Sequence, residues 1–137
     1  MVGVYLSTNG NAREVADYYV NVFDAEQPYM MDFSQMPQAD QEEAKGMEDL
    51  VIYANVKTFA GDIMLSDNMP GETTKPDGSV WISLSHDDLD RLRTVFERLA
   101  QDGEILMPME PTFFSPLYGQ VKDKFGFHWM IMSDDEA

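Results

Sequence analysis

The same order of strand and helix patterns occurs twice in this sequence, and that duplication limits the folds open to the chain. With a shift of 77 positions (81 minus 4), Val4 aligns with Trp81 and Val15 with Leu92. Each half is predicted to form a strand, an amphipathic helix and three further strands. One helix covers only one face of a four-stranded sheet, so two such modules side by side would enclose a cavity. The predicted fold class is therefore α+β, a pseudo-duplicate of two βαβββ modules forming a curved mixed sheet around a cavity.

Both predicted helices carry apolar residues at helical spacing, next to residues that cap helices. The stripes are Ala12, Val15, Ala16, Tyr19, Val22 and Phe23, and then Leu89, Leu92, Val95, Phe96, Leu99 and Ala100. Asn11 with Glu14 is predicted to cap the first helix, and Ser85 with Asp88 the second. Gly103 is predicted to end the second helix.

Strands are predicted wherever short apolar or alternating runs lie between turn residues. The predicted strands are 2–7, 29–33, 50–58, 61–66, 80–85 and 104–109, followed by a C-terminal hairpin. That hairpin turns at Lys124-Phe125-Gly126, and its last strand is the bulky apolar run from Phe127 to Met132. A buried strand at the end of the chain implies that the fold is completed late.

The length of 137 residues predicts a single domain, 1–137. Module 1 is predicted at about 1–67, a linker rich in proline and glycine at about 68–79, and module 2 at about 80–134. Residues 34–49 are rich in acids and are interpreted as a solvated connector in preference to a functional lid.

Composition excludes several classes of function. A net charge of −16, from nine Lys and Arg against twenty-five Asp and Glu, is opposite to what a nucleic-acid binder needs. No apolar run reaches the roughly 18 residues of a membrane helix, and no secretion signal is recognised. The chain has no cysteine, so disulfides and thiolate metal sites are excluded. The expected localisation is cytoplasmic.

Several short motifs occur along the chain: Asp17-Tyr18-Tyr19 before Val22-Phe23, Met36-Pro37, the run from Gly61 to Pro70, Thr112-Phe113-Phe114, and Tyr118-Gly119 continuing to Trp129. In this order and spacing they resemble the vicinal oxygen chelate superfamily, which includes glyoxalase I, bleomycin-resistance proteins and extradiol dioxygenases. The resemblance covers nearly the whole chain and is strongest to the PhnB-like branch. It implies a glyoxalase-like fold and a homodimer, swapped or unswapped.

The resemblance also implies where a metal would bind. In metal-dependent members, four inward His, Glu or Gln side chains hold a divalent ion, which acts as a Lewis acid. The corresponding positions here are Val4, Met64, Trp81 and Met130, none of which is a normal ligand. No metal cofactor is therefore expected, and the predicted function is binding of a small, partly apolar molecule in the cavity between the sheets.

The ligand pocket is predicted from aromatic, methionine and histidine side chains that the module pattern directs to the cavity. They are Tyr5, Met64, Trp81, Phe113, Phe114, Tyr118, His128 and Met130. Asp67 and Asp123 are interpreted as turn-forming acids, and His86 as a surface residue. No catalytic residue is assigned, because hydrolase and nucleotide-binding motifs are absent.

Two alternatives stay open at this point. One is a metal-dependent lyase, isomerase or dioxygenase that uses His128 with Asp67 or Glu110. The other is a non-catalytic interaction domain whose cavity is filled by its own side chains. A ubiquinone methyltransferase label is attached to some relatives, but the sequence has no glycine-rich loop for a methyl donor.

Overall fold

The computed structural model of the chain describes residues 2–35 and 45–134. The chain divides into two compact units, Met1–Thr74 and Lys75–Ala137, and each unit is described by itself. The boundary falls within the predicted linker, while the single-domain organisation stays a prediction. The Met36-Pro37 motif and most of the predicted connector lie outside the described residues.

The first unit is a four-stranded mixed sheet with one helix. Its elements are β1 (Val4–Thr8), α1 (Ala12–Phe23), β2 (Tyr29–Asp32), a short 3-10 turn (Phe33–Gln35), β3 (Val51–Thr58) and β4 (Gly61–Asp67). The strand order is β1-β4-β3-β2. β1 runs parallel to β4, and the other neighbours are antiparallel.

The second unit repeats this topology, which confirms the predicted pair of βαβββ modules. Its elements are β5 (Trp81–His86), α2 (Leu89–Ala100), β6 (Glu104–Glu110), β7 (Tyr118–Lys122) and β8 (His128–Ser133). The strand order is β5-β8-β7-β6, with β5 parallel to β8. The last strand therefore pairs with two neighbours inside the sheet, as the apolar C-terminal run predicts.

Each helix packs its apolar stripe against one face of its own sheet. In the first unit the stripe and the facing strand residues are buried, including Leu6, Val56 and Leu65. In the second unit Trp129 and Ile131 of β8 are buried in the same way. Neither helix, among the described parts of the chain, is long and apolar enough to cross a membrane. The side chains that alternate with these buried residues point to the face that we call the open face of each sheet.

The sequence offset that aligns equivalent residues of the two units is different for the first strands and for the helices. Leu6 of β1 and Leu84 of β5 are both buried, which gives an offset of 78 (84 minus 6). The carbonyls of Thr8 and His86, at the ends of these strands, accept equivalent bonds from Asn68 N and Asp134 N. The helices keep the offset of 77, because the strand-to-helix connection is one residue shorter in the second unit. The predicted alignment of Val4 with Trp81 is therefore wrong.

The helix N-termini are capped differently from the sequence prediction. Asn11 occupies the N-cap position of α1 but makes no side-chain cap bond. The Ala12 amide instead donates to Asp67 Oδ1 at 2.9 Å. The N-cap of α2 is Asp88, whose carboxylate accepts from the Arg91 amide at 3.1 Å, while Ser85 lies within β5. The local sequence therefore predicted the capping group of α2, in which Asp88 is the N-cap. The bond to the first amide of α1 comes from Asp67, at the end of a strand that is distant in sequence.

The residue that takes the left-handed backbone conformation after α2 is Asp102, with φ 63°. Gly103, which was predicted to end the helix, is needed for a different reason. A Cβ at Gly103 would lie 2.4 Å from the Lys122 carbonyl oxygen and 2.6 Å from that of Leu99. The glycine therefore permits a close backbone approach between the helix end and β7.

Candidate functional site

The open face of the first sheet is lined by tyrosines around a methionine and an amide. Strand register places Tyr5, Met64, Asn55 and Tyr29 in one row across all four strands. The ring of Tyr53, two residues before Asn55, lies 6.4 Å from the Tyr5 ring and 6.0 Å from the Tyr29 ring, centroid to centroid. Three aromatic rings thus surround the centre of this face.

Asn55 has one side of its amide engaged and the other side buried without a partner. Its Nδ2 donates to Asp62 Oδ2 and to the Tyr53 hydroxyl oxygen, each at 3.2 Å. Because an ionised carboxylate only accepts hydrogen bonds, Asp62 determines which side of the amide carries the NH2 group. Asn55 Oδ1 is buried and has no hydrogen-bond partner among the described residues. It is an acceptor held in a defined position.

The open face of the second sheet repeats part of this arrangement. Ser83, Met130, Gln120 and Met107 form the corresponding row. Met130 precedes Asp134 by four positions, as Met64 precedes Asn68, so the two methionines are equivalent. Gln120 Nε2 donates to the Tyr118 hydroxyl oxygen at 2.9 Å. A tyrosine, an amide two residues later and a methionine on the adjacent strand therefore occur in both units.

Trp81 and His128 are register partners at one end of the second sheet. Their rings are 5.0 Å apart in an edge arrangement. Trp81 Nε1 donates to the Gly78 carbonyl at 2.9 Å, and His128 Nδ1 is buried without a partner in the described part of the chain. Hydrogen bonds from Ser79 are the main cause that lowers the pKa of Asp77, and His128 contributes a smaller electrostatic effect.

Two phenylalanine rings in contact with each other connect the exposed surface to the Tyr118 ring. The Phe114 ring is 5.0 Å from the Tyr118 ring, and the Phe113 ring is 5.1 Å from the Phe114 ring, both nearly perpendicular. Phe113 is 95% exposed and Phe114 is 48% exposed. The turn that presents them is fixed by the Thr112 amide, which donates to the Ser115 carbonyl at 2.8 Å.

The structure brings the predicted pocket residues together in two groups, one in each unit. Tyr5 and Met64 are direct register partners on the open face of the first sheet. Trp81, His128, Met130 and Tyr118 share the open face of the second sheet, and Phe113 and Phe114 extend from Tyr118. Their ligand-binding role, and the cavity between the sheets, stay predictions.

The sequence analysis missed Tyr29 and Asp62 on the first face, and it also missed three residues of a repeated pattern: Tyr53, Asn55 and Gln120. The signal that could have found them is a Tyr-x-amide motif on the third strand of each module. It is written Tyr53-Ala54-Asn55 in the first unit and Tyr118-Gly119-Gln120 in the second. The 77-residue alignment hides this motif, because the two copies are 65 positions apart (118 minus 53).

The residues at the family's metal positions do not form a donor set. Val4 shares the covered face with Leu6, so its position was predicted one residue out of register, and Tyr5 occupies the open face instead. Tyr5, Met64 and Met130 provide no imidazole or carboxylate. Within 2–35 and 45–134, no group of three or more His, Asp or Glu is arranged to hold a metal ion.

The alternative ligand pairs fit no better. Glu110 is the register partner of Tyr118, and His128 is the register partner of Lys122. Tyr118 and Lys122 are four residues apart along β7. Four residues of strand span about 13 Å, whereas two ligands of one ion each lie roughly 2 Å from it. Both Asp67 oxygens already accept hydrogen bonds, from Thr8 and Ala12 at Oδ1 and from the Val51 amide at Oδ2.

Of the two acids predicted to form turns, Asp123 does so, whereas Asp67 accepts from the Ala12 and Val51 amides of other elements. Asp123 is buried, and its Oδ1 accepts from the amides of Phe125 and Phe127 at 2.9 and 3.1 Å. Its Oδ2 accepts from Trp129 Nε1 at 2.9 Å. His86 is also structural, since its Nδ1 accepts from the Asp88 amide at 3.0 Å.

This topology defines a glyoxalase-like fold, in which each βαβββ module forms its own four-stranded mixed sheet. A glyoxylase/bleomycin resistance protein/dioxygenase domain from Frankia sp. EAN1pec has the same fold, at 16% identity and a TM-score of 0.66, covering 100% of this chain and 93% of that one. The profile of a family described as 3-demethylubiquinone-9 3-methyltransferase matches residues 2–132. The chain belongs to this family, whose members are PhnB-like.

Individual relatives agree with this assignment. Protein YjdN of Escherichia coli (strain K12) is 34% identical over 134 residues, which cover 93% of this chain and 90% of that protein. The crystal structure of PA1353 from Pseudomonas aeruginosa is 29% identical, with a TM-score of 0.79 and coverage of 97% and 96%. A putative 3-demethylubiquinone-9 3-methyltransferase, PhnB protein, from Bacillus cereus is 26% identical, with a TM-score of 0.69 and coverage of 96% and 98%.

Proposed function

We propose that this PhnB-like protein binds a small, partly apolar molecule on the open faces of its sheets, without a metal ion. The observation that carries the proposal is the repeated group of tyrosine, amide and methionine, Tyr53, Asn55 and Met64 in one unit and Tyr118, Gln120 and Met130 in the other. A face built only for packing has no use for a half-buried amide beside a tyrosine hydroxyl, and each of the two faces has one.

The chemistry of these faces favours a ligand that is apolar with a few polar atoms. Tyrosine rings provide flat apolar contact and a hydroxyl at the edge. Methionine is flexible and polarisable, and it adapts to ligands of irregular shape. Small-molecule sites typically combine such surfaces with a small number of fixed polar groups, and the two amides supply them here.

The family description does not by itself assign methyl transfer to this chain. A methyl donor of the nucleoside type requires its own pocket, usually at a glycine-rich loop. The sequence contains no G-x-G-x-x-G motif. We therefore propose ligand binding and do not assign methyl transfer to this chain.

The proposal is tested with the fluorescent apolar probe N-phenyl-1-naphthylamine and with native mass spectrometry of the protein as isolated. We expect a retained small molecule or saturable probe binding. Met64→Glu is expected to weaken probe binding at least tenfold, because a carboxylate would be desolvated at the centre of the face. Met69→Glu is the matched control, since Met69 lies outside the strands and is 41% exposed. Absence of any binding would favour the alternative of a non-catalytic interaction domain.

The metal-free part of the proposal has its own test. The protein is incubated with Ni²⁺, Zn²⁺, Mn²⁺ and Fe²⁺, separated from free ions, and analysed for metal content. We expect far less than one ion per chain. One tightly held ion per chain, lost in His128→Ala, would overturn this part and support the metal-dependent alternative.

A further inference from the structure

We propose that the open face of the first sheet recognises a protonated amine, so that the ligand is an apolar molecule with an ammonium group. This inference rests on the proposed function and specifies the ligand class. The residues that carry it are Tyr5, Tyr29, Tyr53, Asn55 and Asp62.

The three tyrosines supply the negative faces of aromatic rings. Tyr53 is within 6.4 Å of Tyr5 and 6.0 Å of Tyr29, and these two outer rings are 52% and 55% exposed. A cation within about 6 Å of such a ring is attracted by its quadrupole, and clusters of aromatic rings are a known way to bind ammonium groups. The exposure of the outer rings leaves their faces accessible from solvent.

Asn55 supplies an acceptor that lacks a donor. Its NH2 side is directed to Asp62 and Tyr53, so its Oδ1 is the free side of the amide. A buried acceptor without a partner is unfavourable, and an N–H donor from a ligand would remove that cost. An ammonium group brings three donors and no acceptor, which complements this atom.

The formal charge of the first unit as a whole also favours a cation. Residues 1–74 contain 3 Lys and Arg and 13 Asp and Glu, a formal charge of −10, whereas residues 75–137 contain 6 and 12, a charge of −6. Asp62 lies on the open face and bonds Asn55. Exposed Lys57 is the register partner of Asp62 and opposes a cation there, so the ammonium is placed nearer to Asn55 and the tyrosine rings.

The equivalent face of the second unit has different polar groups. Gln120 also donates to a tyrosine hydroxyl, but its carbonyl oxygen is not among the buried atoms without a partner. His128 Nδ1 is such an atom in the described part of the chain, but Lys122 is the register partner of His128 on that face and opposes a cation there. The inference is therefore confined to the first unit.

The experiment compares 2-phenylethylammonium with propylbenzene, which has the same shape but carries neither charge nor donor. Binding of each to the protein is measured by saturation-transfer NMR and tyrosine fluorescence at low salt. We expect at least a tenfold preference for the ammonium probe in the wild type. Asn55→Leu is expected to remove most of this preference while propylbenzene still binds. Gln101→Leu, which changes an exposed amide after α2 and outside both open faces, is expected to keep the preference.

Tyr29→Leu is a second variant that changes a half-exposed side chain and avoids the sheet interior. It is expected to weaken binding of the ammonium probe several-fold more than binding of propylbenzene. Equal binding of both probes to the wild type, or an unchanged preference in Asn55→Leu and Tyr29→Leu, would overturn the amine assignment and leave the proposed function standing. If neither these probes nor N-phenyl-1-naphthylamine binds, the proposed function fails and the amine assignment fails with it.

Discussion

At the scale of single residues, the strongest organising role in the first unit belongs to Asp67. Its carboxylate accepts from the Thr8 hydroxyl, the Ala12 amide and the Val51 amide at 2.8 to 2.9 Å. It therefore connects the end of β4 to the end of β1, the start of α1 and the start of β3. These bonds give Asp67 a structural role, whereas the metal-dependent alternative had assigned it as a metal ligand.

Replacing Asp67 is expected to lower the free energy of unfolding of the protein. In Asp67→Asn the amide nitrogen cannot accept, so at least one backbone donor loses its partner. Hydrogen bonds to charged groups contribute about 1.5–3 kcal/mol each, so we expect a loss of about 2–3 kcal/mol in the free energy of unfolding. Urea denaturation measures this loss. Exposed Glu72→Gln is the control, with an expected change within about 0.5 kcal/mol, and a similarly small change in Asp67→Asn would contradict the assigned role.

At the scale of elements, the two helices begin in different ways although their apolar stripes are alike. α2 carries its own cap, since Asp88 accepts from the Arg91 amide. α1 depends on Asp67, which is 55 residues away in sequence from Ala12. The Asn11 side chain instead accepts from the Asn9 amide at 3.1 Å, which shapes the preceding turn.

The caps can be compared by a pair of alanine substitutions. Asp88→Ala removes a cap bond and a negative charge at a helix N-terminus, so a loss of about 1 kcal/mol in stability is expected. Asn11→Ala removes only a turn contact and is expected to cost less than half of that. Thermal and chemical denaturation of both variants provides the measurement. The reverse order would mean that Asn11 caps α1 after all.

At the scale of the whole molecule, the chain consists of two units with the same topology but different charges and different open faces. The first unit has the tyrosine cluster and a formal charge of −10, and the second has Trp81, His128 and Lys122 on its open face. A duplicated architecture therefore carries two faces with distinct chemistry.

We propose a homodimer, which is what the resemblance to the vicinal oxygen chelate superfamily implies. Two copies carry a formal charge of −32, twice −16, and a mass of about 31 kDa, twice 15.6 kDa. Screening over about 8 Å at physiological salt weakens repulsion between dispersed charges but does not weaken an apolar interface. Sedimentation equilibrium at low and moderate salt is expected to give the dimer mass. A monomer at tens of micromolar under both conditions would exclude it.

The sequence by itself determined the elements, their duplication and the family. Apolar residues at helical spacing predicted both helices, and turn residues bounded the strands, because these signals are local. The turn at Asp123 and Gly126 was predicted for the same reason, and Gly126 adopts φ 94° there. Met64, Trp81 and Met130 were assigned from the resemblance to the superfamily, and they lie on the open faces of their sheets.

Only the tertiary structure decided the register of β1, the cap of α1 and the partners of Asn55. A one-residue shift exchanges the two faces of a strand, and both Val4 and Tyr5 are apolar enough to fit a covered face, so alternation alone could not choose between them. The Asp67 cap and the contact of Asn55 with Asp62 join residues on different elements, and no local pattern encodes such contacts. Asn55 Oδ1 is left without a partner by its neighbours on β3 and β4, which is a property of the folded sheet.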